Sequence, residues 1–189
     1  MGFAIAEQLA SSGATVVLVC GPVLLRTIHP SIQRVDVTTA DQMLEACLNY
    51  FDSCDGAIMT AAVADYSPLV TVKEKIKRTK ENMILELRPN KDIAGELGQL
   101  KKPNQLLVGF ALESQNEIEN AFSKLISKNL DMIVLNSLNE EGAGFCYDTN
   151  KIAILTRDKK IVQFPLKSKK EVAIDIVNQI IALDSSIID

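Results

Sequence analysis

Histidine is nearly missing from this chain: His29 is the single one in 189 residues. A Ser-His-Asp or Cys-His mechanism would have to run through that residue, which lies before Pro30 in an expected loop and is a poor candidate for a catalytic base. Paired cysteine spacing is lacking as well. Cys20, Cys47, Cys54 and Cys146 are scattered through apolar or loop contexts without a C-x-x-C pair, so free thiols in a reducing compartment are expected and a zinc site is not. There is no surplus of basic residues, because 20 Lys and Arg stand against 24 Asp and Glu for a net charge of -4. Nucleic-acid binding needs excess cations to neutralise phosphates and is not expected; an anionic ligand would have to be held locally. The longest apolar runs, such as "ATVVLV" and "QIIAL", fall far short of the roughly 20 residues that span a bilayer. The first residues show no basic region followed by an apolar one, as a secretory signal would. The expectation is a cytoplasmic chain without a membrane partner.

What is present is an apolar content of 47% and a regular alternation of patterns, enough for one well-buried domain over residues 1–189. "MGFAIAEQLASS" places Phe3, Ala6, Leu9 and Ala10 on one helical face and stops at Gly13. The run "ATVVLV" follows as a strand, then a turn at Gly21-Pro22 and a short strand "QRVDV". "ADQMLEACLNYF" has helical spacing, and "GAIMT" reads as a second buried strand. "NMILELRP" alternates as a strand does, "KDIAGELGQL" reads as a helix with Asn90 as its cap, and "NQLLVGFALE" carries a third buried strand. Residues Glu117 to Lys128 give another amphipathic helix and "DMIVLN" a fourth buried strand. "KIAILTR" and "KIVQFPL" form an expected β-hairpin around Asp158-Lys159, before a closing helix from Lys169 to Leu183. Short apolar strands alternating with helices predict an α/β fold of doubly wound, Rossmann-like type, with a mostly parallel sheet and a C-terminal β-hairpin.

Ligands of such sheets bind outside the carboxyl ends of the strands. That rule selects the loops at Gly21-Pro22, Ala61 to Arg78, Phe110 to Ser114, and from Asn136 onward. The second of these, "TAAVADYSPLVTVKEKIKR", begins with small residues, continues with Asp65 and Tyr66, and ends in a lysine tract. Taken alone, Asp65 reads equally as a turn residue and the lysines as a solvated charge run. An extended "EKIKR", however, puts Lys75 and Lys77 on one side and Ile76 on the other, which would present a cationic pair to a site.

The segment "GFAIAEQLASSGATVVLV" is similar to the first helix and second strand of a nicotinamide-dependent reductase. That class needs a G-x-G-x-x-G loop, of which only Gly2 remains. Tyr147 and Lys151 match the Tyr-x-x-x-Lys spacing of those reductases, but "FCYDTNKIAIL" runs from a loop into a strand rather than along a helix. A reductase is the weaker reading.

Six motifs in order, "AAVADY", "EKIKR", "NKDI", "GFALES", "KLISKNLDMIVLN" and "GFCYDTNKI", resemble the phosphopantothenoylcysteine synthetase domain of the bacterial bifunctional coenzyme A biosynthesis flavoprotein. The resemblance covers nearly the whole chain. It implies activation of the carboxylate of 4'-phosphopantothenate with CTP and Mg2+, giving an acyl-cytidylate and pyrophosphate, then joining to cysteine with release of CMP. By the same resemblance the backbone of Met59, Thr60 and Ala61 would meet the nucleotide, Asp65 would hold its sugar or base, and Lys75 would be the catalytic cation. Lys91, Asp92, Ile93 and Ala94 would offer a helix amino terminus to the phosphates, with Lys91 standing where the family commonly has proline. Phe110 would lie against cytosine, and Lys124 and Lys128 would reach the phosphates. On the residues alone, capping at 91–94, a core role for Phe110 and a solvated surface for the two lysines stay open.

The resemblance further implies a strand, a Gly-Gly-Thr loop and an Ile-Ser-Asn-x-Ser-Ser-Gly-Lys-x-Gly segment ahead of Met1. The chain is therefore expected to be N-terminally truncated and incompletely active by itself. No flavin is expected with it. A homodimer is, for which the C-terminal hairpin offers support. The metal ligands are unassigned, and a non-catalytic nucleotide-binding domain is the alternative of another class.

Overall fold

The alternating pattern becomes alternating elements in the computed structural model, which describes residues 1–72, 74–78, 82–113, 115–137 and 147–185. Helix α1 (Gly2–Ser11) buries Ile5, Ala6 and Ala10 and gives way to Gly13, whose φ of 98° is a left-handed conformation that favours glycine. Strand β1 (Val16–Cys20) pairs in parallel with β2 (Ile32–Asp36). Helix α2 (Ala40–Phe51) opens with a capping box in which Thr39 and Gln42 satisfy each other's backbone N–H groups. There follow β3 (Gly56–Met59), a short antiparallel arm of β4 (Tyr66–Pro68) and β5 (Leu87–Pro89), and α3 (Ile93–Leu100). The chain continues through β6 (Leu106–Glu113), α4 (Glu117–Ser127) and β7 (Met132–Ser137). It closes with β8 (Thr149–Asn150), β9 (Ile152–Thr156), β10 (Ile161–Gln163), β11 (Lys167–Ser168) and α5 (Lys169–Ser185).

The central sheet has the order β10-β9-β7-β6-β3. β3, β6 and β7 run parallel, while β9 and β10 are antiparallel additions. Successive residues of the parallel strands serve opposite cores, which is why those strands read as unbroken apolar runs. Leu107 and Ile133 join Leu97 and Leu125 on the face covered by α3 and α4, whereas Val108 and Val134 join Ile5, Val172 and Ile176 under α1 and α5. The helices therefore cover both faces, as expected of a doubly wound sheet. No helix among the described residues is long and apolar enough to cross a membrane.

Three expectations need correction. The first cap of α3 is Asp92, not Asn90: the Asp92 side chain accepts from the Gly95 amide, two residues later than the sequence suggested, because Asn90 is drawn off by the preceding loop. "NMILELRP" forms a strand only over Leu87–Pro89. Met83, Ile84 and Leu85 are 65%, 89% and 55% exposed, since β4 offers a partner just three residues long. The β1–β2 ladder is also a sheet of its own and shares no hydrogen-bonded pairing with β3 among the described residues.

Close approach of α3 to the end of α4 depends on Gly98. A Cβ there would lie 2.0 Å from the Lys128 carbonyl oxygen and 2.9 Å from its carbon, both backbone atoms that cannot swing aside. Gly98→Ala is expected to destabilise the fold by about 2 kcal/mol, as overpacking of a tight interior does, and denaturant unfolding measures it.

Candidate functional site

β3 ends at Met59, in register with Gly109, the fourth residue of β6, and a cleft of 260 Å³ opens there. Met59, Ala61 and Asp65 form one wall. Lys91, Asp92, Ile93 and Ala94, at the amino end of α3, form a second. Lys124 and Lys128, at the carboxyl end of α4, form a third, over a floor that includes Gly109, Phe110, Leu130 and Ile133. Residues from four of the six sequence motifs, together with Met59, thus converge where β3 ends beside the middle of β6. Phe110 serves twice, lining the cleft and packing against the core beneath α1 and α5.

Two of the expected residues lie elsewhere. Thr60 is not among those lining the cleft; its hydroxyl neighbours Gly2, where an added Cβ would sit 2.7 Å from Thr60 Oγ1. Lys75 is exposed in the segment 74–78 and also stands outside the cleft. The arm that carries it is nevertheless rooted there, for Asp65 and Asn90 flank β4 and β5 and both line the cleft. Lys73 of the lysine tract, Ser114, and the Gly144–Cys146 part of "GFCYDTNKI" lie outside the described residues. Tyr147 is exposed and Lys151 lies between β8 and β9, so no helix carries that pair.

The cleft holds charges of both signs. Lys128 Nζ meets the two Asp92 carboxylate oxygens at 2.9 and 2.8 Å. Lys124 Nζ donates to Glu113 Oε1 at 2.5 Å. Burial works against the charge of Asp92, but the hydrogen bonds from Lys128 and the Gly95 amide and the Lys128 charge prevail and hold its carboxyl below the ordinary value. A carboxyl lowered in the folded state contributes stability that is complete above the unfolded value of about 3.9 and is lost as pH falls through the folded one. Asp92→Asn is therefore expected to flatten the acid limb of the stability profile below about pH 4, and unfolding followed from pH 5 to 2.5, roughly the range over which such a carboxyl titrates, tests it.

Sequence reading missed two residues here. Asn90 donates from its side chain to the Ala64 carbonyl at 2.8 Å, and from its backbone to the Asp65 carbonyl at 2.8 Å. It fixes the small-residue loop "AAVA", which has no polar side chain of its own; that lack was the available signal. Gly109 keeps the floor open, since a Cβ there would lie 2.5 Å from Leu130 Cδ1. The described cysteines Cys20, Cys47 and Cys54 are free, and burial raises each thiol above its usual value, which makes them poor nucleophiles. A wider depression of 380 Å³ over α2 has Asp36 and Glu45 as its charged lining and offers an anion no cation.

Fold and cleft together define a doubly wound α/β domain with a lysine-lined cleft at the carboxyl end of β3. The chain belongs to the family described as DNA/pantothenate metabolism flavoprotein C-terminal domain, whose model matches residues 1–183. It is 54% identical over 183 residues to a cysteine/cysteine sulfinic acid decarboxylase of an unknown prokaryotic organism, covering 97% of this chain and 51% of that one. Over 183 residues it is 42% identical to the coenzyme A biosynthesis bifunctional protein CoaBC of Bacillus subtilis strain 168, covering 97% of this chain and 45% of that protein. The crystal structure of the C-terminal domain of a CoaBC protein is similar with a TM-score of 0.79 at 38% identity, covering 97% of this chain and 82% of that one. The chain spans about half the length of the curated relatives it matches.

Proposed function

We propose that this chain forms the ligase site that joins 4'-phosphopantothenate to cysteine at the expense of CTP. The carrying observation is the convergence of Lys91, Lys124, Lys128 and the amino end of α3 on one cleft at the end of β3, a setting suited to a nucleotide's phosphates. In the first step the pantothenate carboxylate oxygen attacks the α-phosphorus of CTP and pyrophosphate leaves. In the second the cysteine amine attacks the acyl carbon, loses a proton, and CMP leaves as the acyl–oxygen bond breaks.

The chain's own residues bind, orient and neutralise. Met59 and Ala61 let a nucleotide approach the strand end closely, Asp65 faces its sugar or base, and Phe110 offers a ring edge to cytosine. Lys124 and Lys128 meet the phosphates, and Lys75, carried on the arm rooted at Asp65 and Asn90, stabilises charge developing at the reacting phosphorus. The three cleft lysines face Asp65 and Asp92 in the same lining, so a triphosphate is under-neutralised by protein alone. CTP accordingly enters as its Mg2+ complex, in keeping with Mg2+ being held chiefly by substrate phosphates; among the described residues no group of three acidic, His or Cys side chains could hold a metal.

A homodimer is part of the proposal. Val70, Met83 and Ile84 on the arm are exposed, and a second copy would cover them; β10 is also an edge strand of the central sheet among the described residues. A cytoplasmic location fits the free thiols. The decarboxylase name belongs to a protein of which this chain spans half, and the three lysines lining the cleft favour the ligase reading.

Pyrophosphate release from CTP, Mg2+ and 4'-phosphopantothenate, followed by cysteine-dependent release of CMP, tests the function in a protein carrying this chain. Both products are expected, and CTP should exceed ATP as substrate. Nucleotide binding without pyrophosphate release would identify a non-catalytic nucleotide-binding domain instead.

A further inference from the structure

We propose that Glu113 is a positioning residue that holds Lys124 in its working place at the cleft; the inference rests on the nucleotide reading of that cleft. Glu113 is the last residue of β6, with a side chain only 14% exposed. Its Oε1 accepts from Lys124 Nζ at 2.5 Å and its Oε2 from Asn120 Nδ2 at 3.3 Å. Asn120 is itself tied to the Gln115 carbonyl at 3.0 Å. Both carboxylate oxygens are thus engaged by α4, and the carboxylate is fixed from two sides.

Lys124 is less well buried, at 43% side-chain exposure. Its ammonium sits on a flexible four-carbon stem that would sample many directions if left alone. Anchored to Glu113, it spends one N–H on that bond and keeps two for a ligand in the cleft it lines. Glu113 is not itself among the lining residues, so it acts through Lys124. Lys128 differs, because its partner Asp92 lines the cleft directly. The order in which the residues are stacked, strand end, carboxylate, ammonium, cleft, is the arrangement in which a buried acceptor orients an exposed donor.

Calorimetric titration of the chain with Mg2+–CTP tests the proposal. Glu113→Gln is expected to bind about 10-fold more weakly, the scale of one oriented charge-assisted hydrogen bond. Lys124→Met is expected to lose at least as much, and the double variant no more than Lys124→Met alone, because the two side chains act as one unit. Should Glu113→Gln fold poorly, Asn120→Ala loosens the carboxylate without changing charge; its weakening is expected to vanish when Lys124 is already methionine. Unchanged or tighter binding by Glu113→Gln, or losses that multiply in the double variant, would overturn the positioning role while leaving the ligase reading intact. A wild-type chain that does not take up Mg2+–CTP would overturn both.

Discussion

Replacing Lys75 by glutamine is expected to lower turnover by about 100- to 1000-fold, the loss typical of removing one oriented donor from a charge-developing transition state. Nucleotidyl transfer concentrates negative charge around the α-phosphorus as pyrophosphate departs, and a cation delivered at that moment lowers the barrier rather than the ground state. The effect should therefore fall on kcat more than on KM for CTP. Stability should be unchanged, because Lys75 is exposed and outside the cleft. Steady-state pyrophosphate release, set beside a thermal unfolding curve, measures both. Near-normal turnover in Lys75→Gln would remove Lys75 from the mechanism and leave the cleft lysines to neutralise the phosphates alone.

Asp131→Ala is expected to cost about 3 kcal/mol of stability, the scale of leaving a largely buried charge without its partner. Asp131 precedes β7, and its Oδ1 pairs with Lys101 Nζ at 2.6 Å, where the Lys101 side chain is only 9% exposed. Its Oδ2 accepts from the Leu107 amide at 2.8 Å, and Arg157 Nε lies 3.7 Å from Oδ1. One carboxylate thus ties the end of α3, the start of β6 and the hairpin of β9 and β10 together. Chemical denaturation should show the loss at neutral pH. Double substitution of Asp131 and Lys101 by apolar residues should recover part of it, because the stranded ammonium is then gone. Asp131 adjoins the floor residue Leu130 but does not itself line the cleft, so the loss should fall on stability far more than on nucleotide affinity in the surviving folded protein.

Elements with strong local signals were legible in the sequence. α2 runs from Ala40 to Phe51 as its spacing predicts, and the β9–β10 hairpin turns at Asp158-Lys159, where Lys159 adopts a left-handed φ of 65°. The lining of the cleft was legible in part: Met59 ends β3, Asp65 follows it and Lys91 precedes α3, where the strand-end rule looks, whereas Lys124 reaches the cleft from the last turns of α4. Lys75 was not placed in that way, since it lies in an arm whose path no periodicity describes. Asn90 and Asp92 exchanged roles because either side chain can cap, and only the carbonyls of Ala64 and Asp65 drew Asn90 away.

The sequence by itself determined the order and type of the main elements, the two apolar faces of each buried strand, and the strand-end positions at which a ligand could be met. Those properties follow from local spacing, 3.6 residues per helical turn and two per strand repeat, and need no knowledge of distant contacts. Tertiary structure alone decided that the hairpin joins the central sheet beside β7 and that β1 and β2 form a separate ladder. It also decided that α3 and α4 touch through Gly98 and that Lys124 and Lys128 are held by Glu113 and Asp92. Such pairings join residues between 11 and 36 positions apart in the ion pairs of the cleft, and they are fixed by how packed elements fit rather than by any pattern within one of them.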